Sequence, residues 1–263
     1  MLDIANVTMA SEKRKLLLIL LHDGPQSWEE IKKKLNVTAT GMLPQIKILE
    51  EEGLIVRWGK ICELTHLGKI IVHHLIPFYT TLNAIESQKK FWQEHDIGAL
   101  PDEFLLRIGE MKNIRIIETG VEESFEPYNP ILDTIYHSTQ VAGISPMIHP
   151  VHAKFFQSLA QGGQRVNLIL TKNAFDKIGK EYYQMFLSAL QYENAHLWIC
   201  EKNIMFDYIV TDIGFSMRLF LKNGIIDTKR DIFSSDPSAI RWAEDLFTYY
   251  IKQSRPVSKD GIF

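Results

Sequence analysis

The sequence predicts two domains of different class: a small α+β domain over residues 1–76 and a larger α/β domain over residues 101–263, with a helical segment at 77–100 between them. Three observations carry this. The chain has 263 residues, more than one ordinary domain of about 100–200 residues needs. Its first quarter consists of short periodic apolar runs, each closed by a capping or turn residue. Beyond Pro101, β-rich runs alternate with amphipathic helical runs, the pattern of a layered α/β fold.

In the first domain, Ser11 caps a helix that runs to about His22, with Leu17, Leu20 and Leu21 on one face; Gly24-Pro25 ends it. Ser27-Trp28-Glu29-Glu30 is a capping box opening a second helix, with Ile31 and Leu35 one turn apart and Asn36 as a left-handed stop. Thr38 or Thr40 caps a third helix with Met42, Ile46 and Leu49 facing inward. Gly53 closes it. Ile55-Val56-Arg57 and Ile61-Cys62-Glu63-Leu64 then read as two strands around Trp58-Gly59-Lys60, and Thr65 caps a further helix. Helix, helix, short turn, helix and hairpin is the order of a winged helix-turn-helix, whose third helix enters the DNA major groove. On that reading Thr38 and Thr40 hold phosphate, and Leu43, Gln45 and Lys47 face the groove. Gln45 suits adenine, and Lys47 suits guanine or phosphate. Arg57 and Lys60 touch phosphate from the wing. Pro44 is the discordant residue, because proline is harmless only in a first helical turn. A plain three-helix domain is the alternative.

Charge permits this function without demanding it. The whole chain carries a formal −3; residues 1–76 hold ten basic and nine acidic groups. Phosphate neutralisation supplies most non-specific affinity, so so neutral a module needs a second copy to bind firmly. A stripe of Phe78, Leu82, Ile85 and Trp92 within 77–100 is either a homodimer seam or a face packed on its own chain. A second helix is expected there from Phe78 to about His95, after an interruption at Pro77.

Composition excludes several classes. The hydrophobic fraction of 46% and charged fraction of 23% are those of a soluble globular protein. No apolar run approaches about 18 residues, so no membrane span is expected. Met1-Leu2-Asp3-Ile4 does not begin a signal peptide. Cys62 and Cys200 are the only cysteines, which fits a reducing cytoplasm.

In the second domain, helices are expected at 102–111, 127–137, 151–160, 181–191 and 238–253. Strands are expected at 114–118, 141–145, 165–170, 196–200, 207–212 and 215–221. A sensor pocket belongs at the C-terminal ends of such strands. That places Ser145, His149, Thr171, Asn173 and Asp212 at a small-molecule site. There is no dinucleotide-binding glycine motif, phosphate-binding loop or H-E-x-x-H. His149-Pro150-Val151-His152 and the Cys62/His66 pair lack a third ligand at recognisable spacing. No catalytic residue, metal or cofactor is expected.

Two sets of motifs carry a family resemblance. Asn36-Val37-Thr38, Glu51-Glu52-Gly53-Leu54-Ile55 and Leu64-Thr65-His66-Leu67-Gly68-Lys69 resemble winged-helix regulators of the arsenic-repressor type. Phe91-Trp92-Gln93-Glu94-His95-Asp96, Gly143-Ile144-Ser145-Pro146, Ser235-Asp236-Pro237-Ser238-Ala239-Ile240-Arg241-Trp242 and Leu246-Phe247-Thr248-Tyr249-Tyr250 resemble the filament or methanogenesis regulatory domain of archaeal methanogen-type regulators. The layout is also similar to one half of the phospholipase-D-like fold, whose H-x-K-x4-D motif would fall on Met205, Asp207 and Asp212; nucleophile and cation are both missing. The resemblance implies a dimeric transcription regulator of methanogenesis-related genes that binds double-stranded DNA and senses a small-molecule effector or signalling partner. A protein-interaction adaptor that uses its winged helix for protein contacts is the alternative; an α/β enzyme is the weaker one.

Overall fold

The computed structural model describes residues 3–118, 129–147, 150–178 and 180–258. The chain divides into two compact units, Met1–Thr80 and Thr81–Phe263.

The first unit begins with α1 (Ile4–Met9), an addition to the expected elements, and α2 (Glu12–Leu20), capped by Ser11. A strand β1 (Gln26–Ser27) leads into α3 (Trp28–Leu35). The capping box is closed in both directions: Glu30 N–H donates to Ser27 Oγ at 3.3 Å, and Ser27 N–H donates to Glu30 Oε2 at 2.7 Å. Asn36, at φ 50, turns the chain out of α3. Thr38 caps α4 (Ala39–Glu51) by accepting from Gly41 N–H. Gly53, at φ 68, takes the left-handed position behind α4, where any side chain would be strained. The wing is β2 (Ile55–Trp58) paired antiparallel with β3 (Ile61–Leu64), and β1 adds a third strand on the other side of β3. Leu17, Leu18, Ile31, Met42, Ile46, Leu49 and Leu54 fill the core of this unit.

α5 (His66–Ser87) starts from a fixed joint. Thr65 Oγ1 donates to the Gly53 carbonyl at 2.6 Å and accepts from Gly68 N–H at 3.1 Å. Thr65 N–H donates to the Leu54 carbonyl. Gly68 lies so close to that carbonyl that a Cβ there would sit 2.0 Å from the Leu54 oxygen. The Leu-Thr-x-x-Gly motif is therefore a device for seating α5 on the turn that follows α4.

The expected break at Pro77 is absent: α5 runs through it, and the interruption falls at Gln88, before α6 (Lys89–Glu94). Proline removes one helical hydrogen bond, which a long helix held at other points survives. The expected stripe divides. Phe78, Leu82 and Ile85 are exposed on α5, whereas Trp92 is buried in the second unit and donates Nε1 to the Ala84 carbonyl at 2.8 Å.

The second unit continues with α7 (Asp102–Leu105), one turn where a longer helix was expected, then β4 (Arg115–Glu118) and α8 (Asn129–His137). Next come β5 (Gln140–Ser145), α9 (Pro150–Gln161), β6 (Arg165–Thr171), α10 (Lys172–Asp176), α11 (Lys180–Ala189) and β7 (Ala195–Cys200). β8 (Phe206–Thr211), β9 (Phe215–Leu219), β10 (Arg230–Ser234), α12 (Pro237–Ile251) and β11 (Ser254–Pro256) complete it. The eight strands form one mixed sheet in the order β11-β7-β6-β5-β8-β9-β10-β4. Among the described residues the parallel pairs are β5–β6 and β6–β7, each formed by strands joined through helices, the crossover that parallel neighbours need. One face is covered by α12, around Tyr208, Trp242 and Leu246; the other is covered by α9 and α11, around Leu170, Phe156 and Phe186.

The Phe91-to-Asp96 motif also acquires a structural reason. His95 is fully buried, with Nδ1 2.7 Å from the Phe91 carbonyl and Nε2 3.0 Å from Asp227 Oδ2. Asp227 also accepts from Arg230 Nε, and Arg230 is paired with Glu94. Burial pushes Asp227 up, but hydrogen bonds from the Lys229 N–H and from Arg230 outweigh it and hold the carboxyl below the usual range.

Candidate nucleic-acid interface

The capping geometry decides what α4 presents. Because Met42, Ile46 and Leu49 face the core, the opposite face of its first turns is outward, and Thr38, Thr40, Leu43, Pro44 and Lys47 are exposed. Pro44 is the sixth residue of α4, deeper than a first turn, and cannot donate a hydrogen bond back along the helix.

Two expected readers are held by other elements. Gln45 is half-buried; its Oε1 accepts from Arg14 Nη1 at 2.7 Å and from Ser11 Oγ at 3.3 Å, both from the start of the α2 segment. The Gln45 carbonyl is thus turned toward α2 and away from the outward face. Arg57 Nη2 lies 2.6 Å from Glu50 Oε2, and that hydrogen bond raises its pKa further. The pair ties the wing to the end of α4 and offsets the charge that was expected to meet phosphate. Lys47 reaches Glu51 at 3.6 Å, a long exposed pair of little strength.

Lys60 stands exposed beside Gly59 at the wing turn and makes no ion pair among the described residues. Lys13 is the residue that sequence reasoning missed. Its ammonium reaches the first turn of α4, where a Cβ on Gly41 would lie 2.8 Å from it. Nothing in the local pattern of Ser11-Glu12-Lys13 shows that α2 delivers a cation to that place. Lys60 stands apart at the wing turn, where its charge acts on Glu29 near the start of α3; the outward face of α4 therefore joins one cation, Lys13, to two exposed hydroxyls, Thr38 and Thr40. Helix N-terminal N–H groups of α4 point the same way, an arrangement that accepts phosphate oxygens.

Cys62 is buried, and burial pushes its thiol up, which disfavours the thiolate a metal or thiol sensor would need.

The expected sensor residues are not all brought together. Ser145 ends β5, buried, and donates to the Met147 carbonyl at 2.7 Å. Thr171 caps α10 by accepting from Ala174 N–H, and Asn173 is exposed on that helix. His149 lies outside the described residues. Asp212 is at the opposite end of the sheet, because β8 runs antiparallel to β5, with Val141 paired to Thr211 and Ile144 to Tyr208. There Asp212 accepts from the Thr139 N–H and hydroxyl. Burial pushes its carboxyl up, and those bonds bring it below the usual range. One register step beyond Ile144–Tyr208, the residue opposite Ser145 is Asp207.

Fold and surface together define a two-domain protein of the winged-helix class, with an exposed helix start and wing on the first domain and an α/β sheet in the second. Residues 3–83 match the model of the N-terminal domain of the methanogenesis regulatory protein FilR1, and residues 124–253 match that of its middle domain. The chain belongs to the FilR1 family. The methanogenesis regulatory protein FilR1 of Methanothrix harundinacea (strain 6Ac) is 24% identical over 267 residues, and the match takes in 100% of this chain and 60% of that protein's length. Among solved structures, the archaeal chromatin protein TrmBL2 shares 11% identity over 93% of this chain and 94% of that one, with a TM-score of 0.43. NucT from Helicobacter pylori shares 14% identity over 54% and 98%, with a TM-score of 0.42. At these scores neither likeness assigns a fold.

Proposed function

We propose that the protein is a transcription regulator that binds duplex DNA as a homodimer, with the start of α4 in the major groove and the wing on the backbone. The observation that carries this is the outward face of the winged domain, where Lys13 stands at the first turn of α4 beside the exposed Thr38 and Thr40, with Lys60 exposed at the wing turn. Family membership supports control of methanogenesis-related genes, and TrmBL2 is itself described as a DNA-binding protein. Exposed Phe78, Leu82 and Ile85 on α5 supply an apolar strip for a second copy. A pair of protomers would place two α4 helices about one DNA turn apart, and doubling the cations offsets the near-neutral charge of the domain.

The α/β domain takes the sensing role, as a non-catalytic relative of one half of the phospholipase-D-like fold; Met205, Asp207 and Asp212 stand where that chemistry needs histidine, lysine and aspartate. The place of action is the cytoplasm; no described helix is long and apolar enough to cross a membrane.

A fluorescence-polarisation titration with a duplex from the gene's own promoter, at two salt concentrations, tests the reading. Saturable binding that weakens steeply with salt is expected. Lys60→Ala should weaken binding on all duplexes alike and reduce the slope of log affinity against log salt by about one. Exposed Trp58 (67%) and Ile61 (46%) on the wing favour the adaptor reading. Absence of DNA binding at low salt, with and without effector, would leave that reading standing instead.

A further inference from the structure

We propose that the cavity between α9 and the sheet binds a compact protonated amine, with Asp207 as its counter-ion. This deepens the sensing role proposed above by naming the site and the ligand chemistry, and its test needs no DNA.

The cavity holds about 100 Å³ and is lined by β5, β6, β8 and α9. Its walls are apolar: Phe155 and Phe156 come from α9, and Leu168 and Ile209 from the strands. Room exists partly because Gly143, on the central strand, contributes no side chain; a Cβ there would lie 3.6 Å from Ile209 Cγ1 and 3.8 Å from Leu168 Cδ1. Asp207 and Ser145 bring polar groups to the lining, which also includes Asn167 and Tyr208.

Charge balance sets the sign of the ligand. Asp207 is paired in register with Arg218 on β9. Arg218, however, donates Nε and Nη2 to the two oxygens of Asp231 on β10, at 2.9 and 2.7 Å. The row Asp207, Arg218, Asp231 therefore carries two carboxylates and one cation. Ser145 is a hydrogen-bond partner of Asp207, but its one hydroxyl proton is shared with the Met147 carbonyl at 2.7 Å, and it brings no positive charge. A carboxylate facing an apolar cavity is costly unless a cation joins it.

The walls also select among cations. Calcium and magnesium require about six or more oxygen ligands, and among the described residues the lining offers one carboxylate, that of Asp207, with Ser145, Asn167 and Tyr208 as its other polar side chains. An alkylammonium needs one carboxylate, a few acceptors and apolar contact, and aromatic rings such as Phe155 and Phe156 attract it through their faces. A cavity of about 150 Å³ takes benzene, so the ligand here has about four or five heavy atoms by the same scale.

The test is isothermal titration calorimetry of the full chain with isopropylammonium chloride at pH 8, above the value of about 7 to which burial lifts Asp207. Isopropanol is the neutral probe of the same shape, and sodium chloride controls for ionic strength. Saturable binding of the ammonium in the millimolar range or tighter is expected, with none of isopropanol. Asp207→Asn should weaken it at least tenfold while keeping its own cooperative thermal transition. A second variant, Leu168→Phe, should block the cavity and weaken binding with the charge left in place. No saturable heat with the wild-type protein, equal binding of isopropanol, or undiminished binding by Asp207→Asn would each overturn the proposal. Loss of DNA binding in the promoter titration would leave it untouched.

Discussion

Gly68→Ala is expected to destabilise the N-terminal unit by about 3 kcal/mol or more and to abolish DNA binding with it. The added methyl carbon would fall 2.0 Å from the Leu54 carbonyl oxygen, far inside any tolerable contact, and the obstacle is backbone, which no rotamer change removes. Overpacking usually costs about 1–3 kcal/mol, occasionally more. Here the strain falls on a joint that is also pinned by Thr65, whose hydroxyl and N–H bind the Gly53 and Leu54 carbonyls. Relief requires α5 to lift from the turn, which loosens the seat of the wing strand β2 at Ile55. Hydrogen exchange on the full-length protein reads this directly: amides of α4, β2, β3 and the start of α5 should exchange faster in the variant, with the second unit unchanged. A loss below about 0.5 kcal/mol would mean that the close approach is not maintained in solution.

Asp207→Asn is expected to do the opposite and stabilise the second unit above neutral pH. Burial is the main cause that raises the Asp207 carboxyl from 3.8 to about 7; Arg218 opposes it, Asp231 adds to it, and Ser145 opposes it. A folded-state value above the unfolded one means that the folded protein holds the proton more tightly. This contribution to stability is therefore fully present below the unfolded value and falls as pH rises from about 4 to about 7. At about 1.4 kcal/mol per pH unit, the upper bound of the penalty above pH 7 is about 4 kcal/mol. Asparagine cannot ionise, so the variant escapes it, less the attraction lost from Arg218. Thermal unfolding from pH 4 to 8 should show a difference in Tm between variant and wild type that grows with pH and favours the variant at pH 8. Asp212 and Asp227, whose values are depressed, lose stability on acidification in both proteins and cancel in the difference. A variant less stable than wild type at pH 8 would show that Asp207 is satisfied as a carboxylate.

What the sequence disclosed and what it hid follow from the range of the forces involved. The capping box at Ser27 and Glu30, the left-handed Asn36 and Gly53, and the cap at Thr65 are set by neighbours three or four residues away, and each is where the pattern places it. The short strands β1, β10 and β11 depend on partners that no local window contains, and none was foreseen. Helix α5 passes Pro77 for the same reason, since packing along its length outweighs one local preference.

The candidate sites divide in the same way. Exposure of Thr38, Thr40, Leu43 and Lys60 follows from helix periodicity and the turn, whereas the engagement of Gln45 by Arg14 and of Arg57 by Glu50 depends on facing elements. The clearest case is on β8. Reading that strand as parallel puts Asp212 beside Ser145; its antiparallel pairing sends Asp212 to the far end and brings Asp207 there instead. Strand direction is a property of the whole sheet, and alternation of apolar residues along β8 is the same either way.

The most direct test of the central claim is dimethyl sulfate protection of the promoter duplex by the purified protein, which reads guanine N7 in the major groove and adenine N3 in the minor groove separately. Insertion of α4 from two protomers predicts two clusters of protected guanines about ten base pairs apart on one face of the duplex. No protection at saturating protein and low salt, or protection confined to adenine N3, would contradict it.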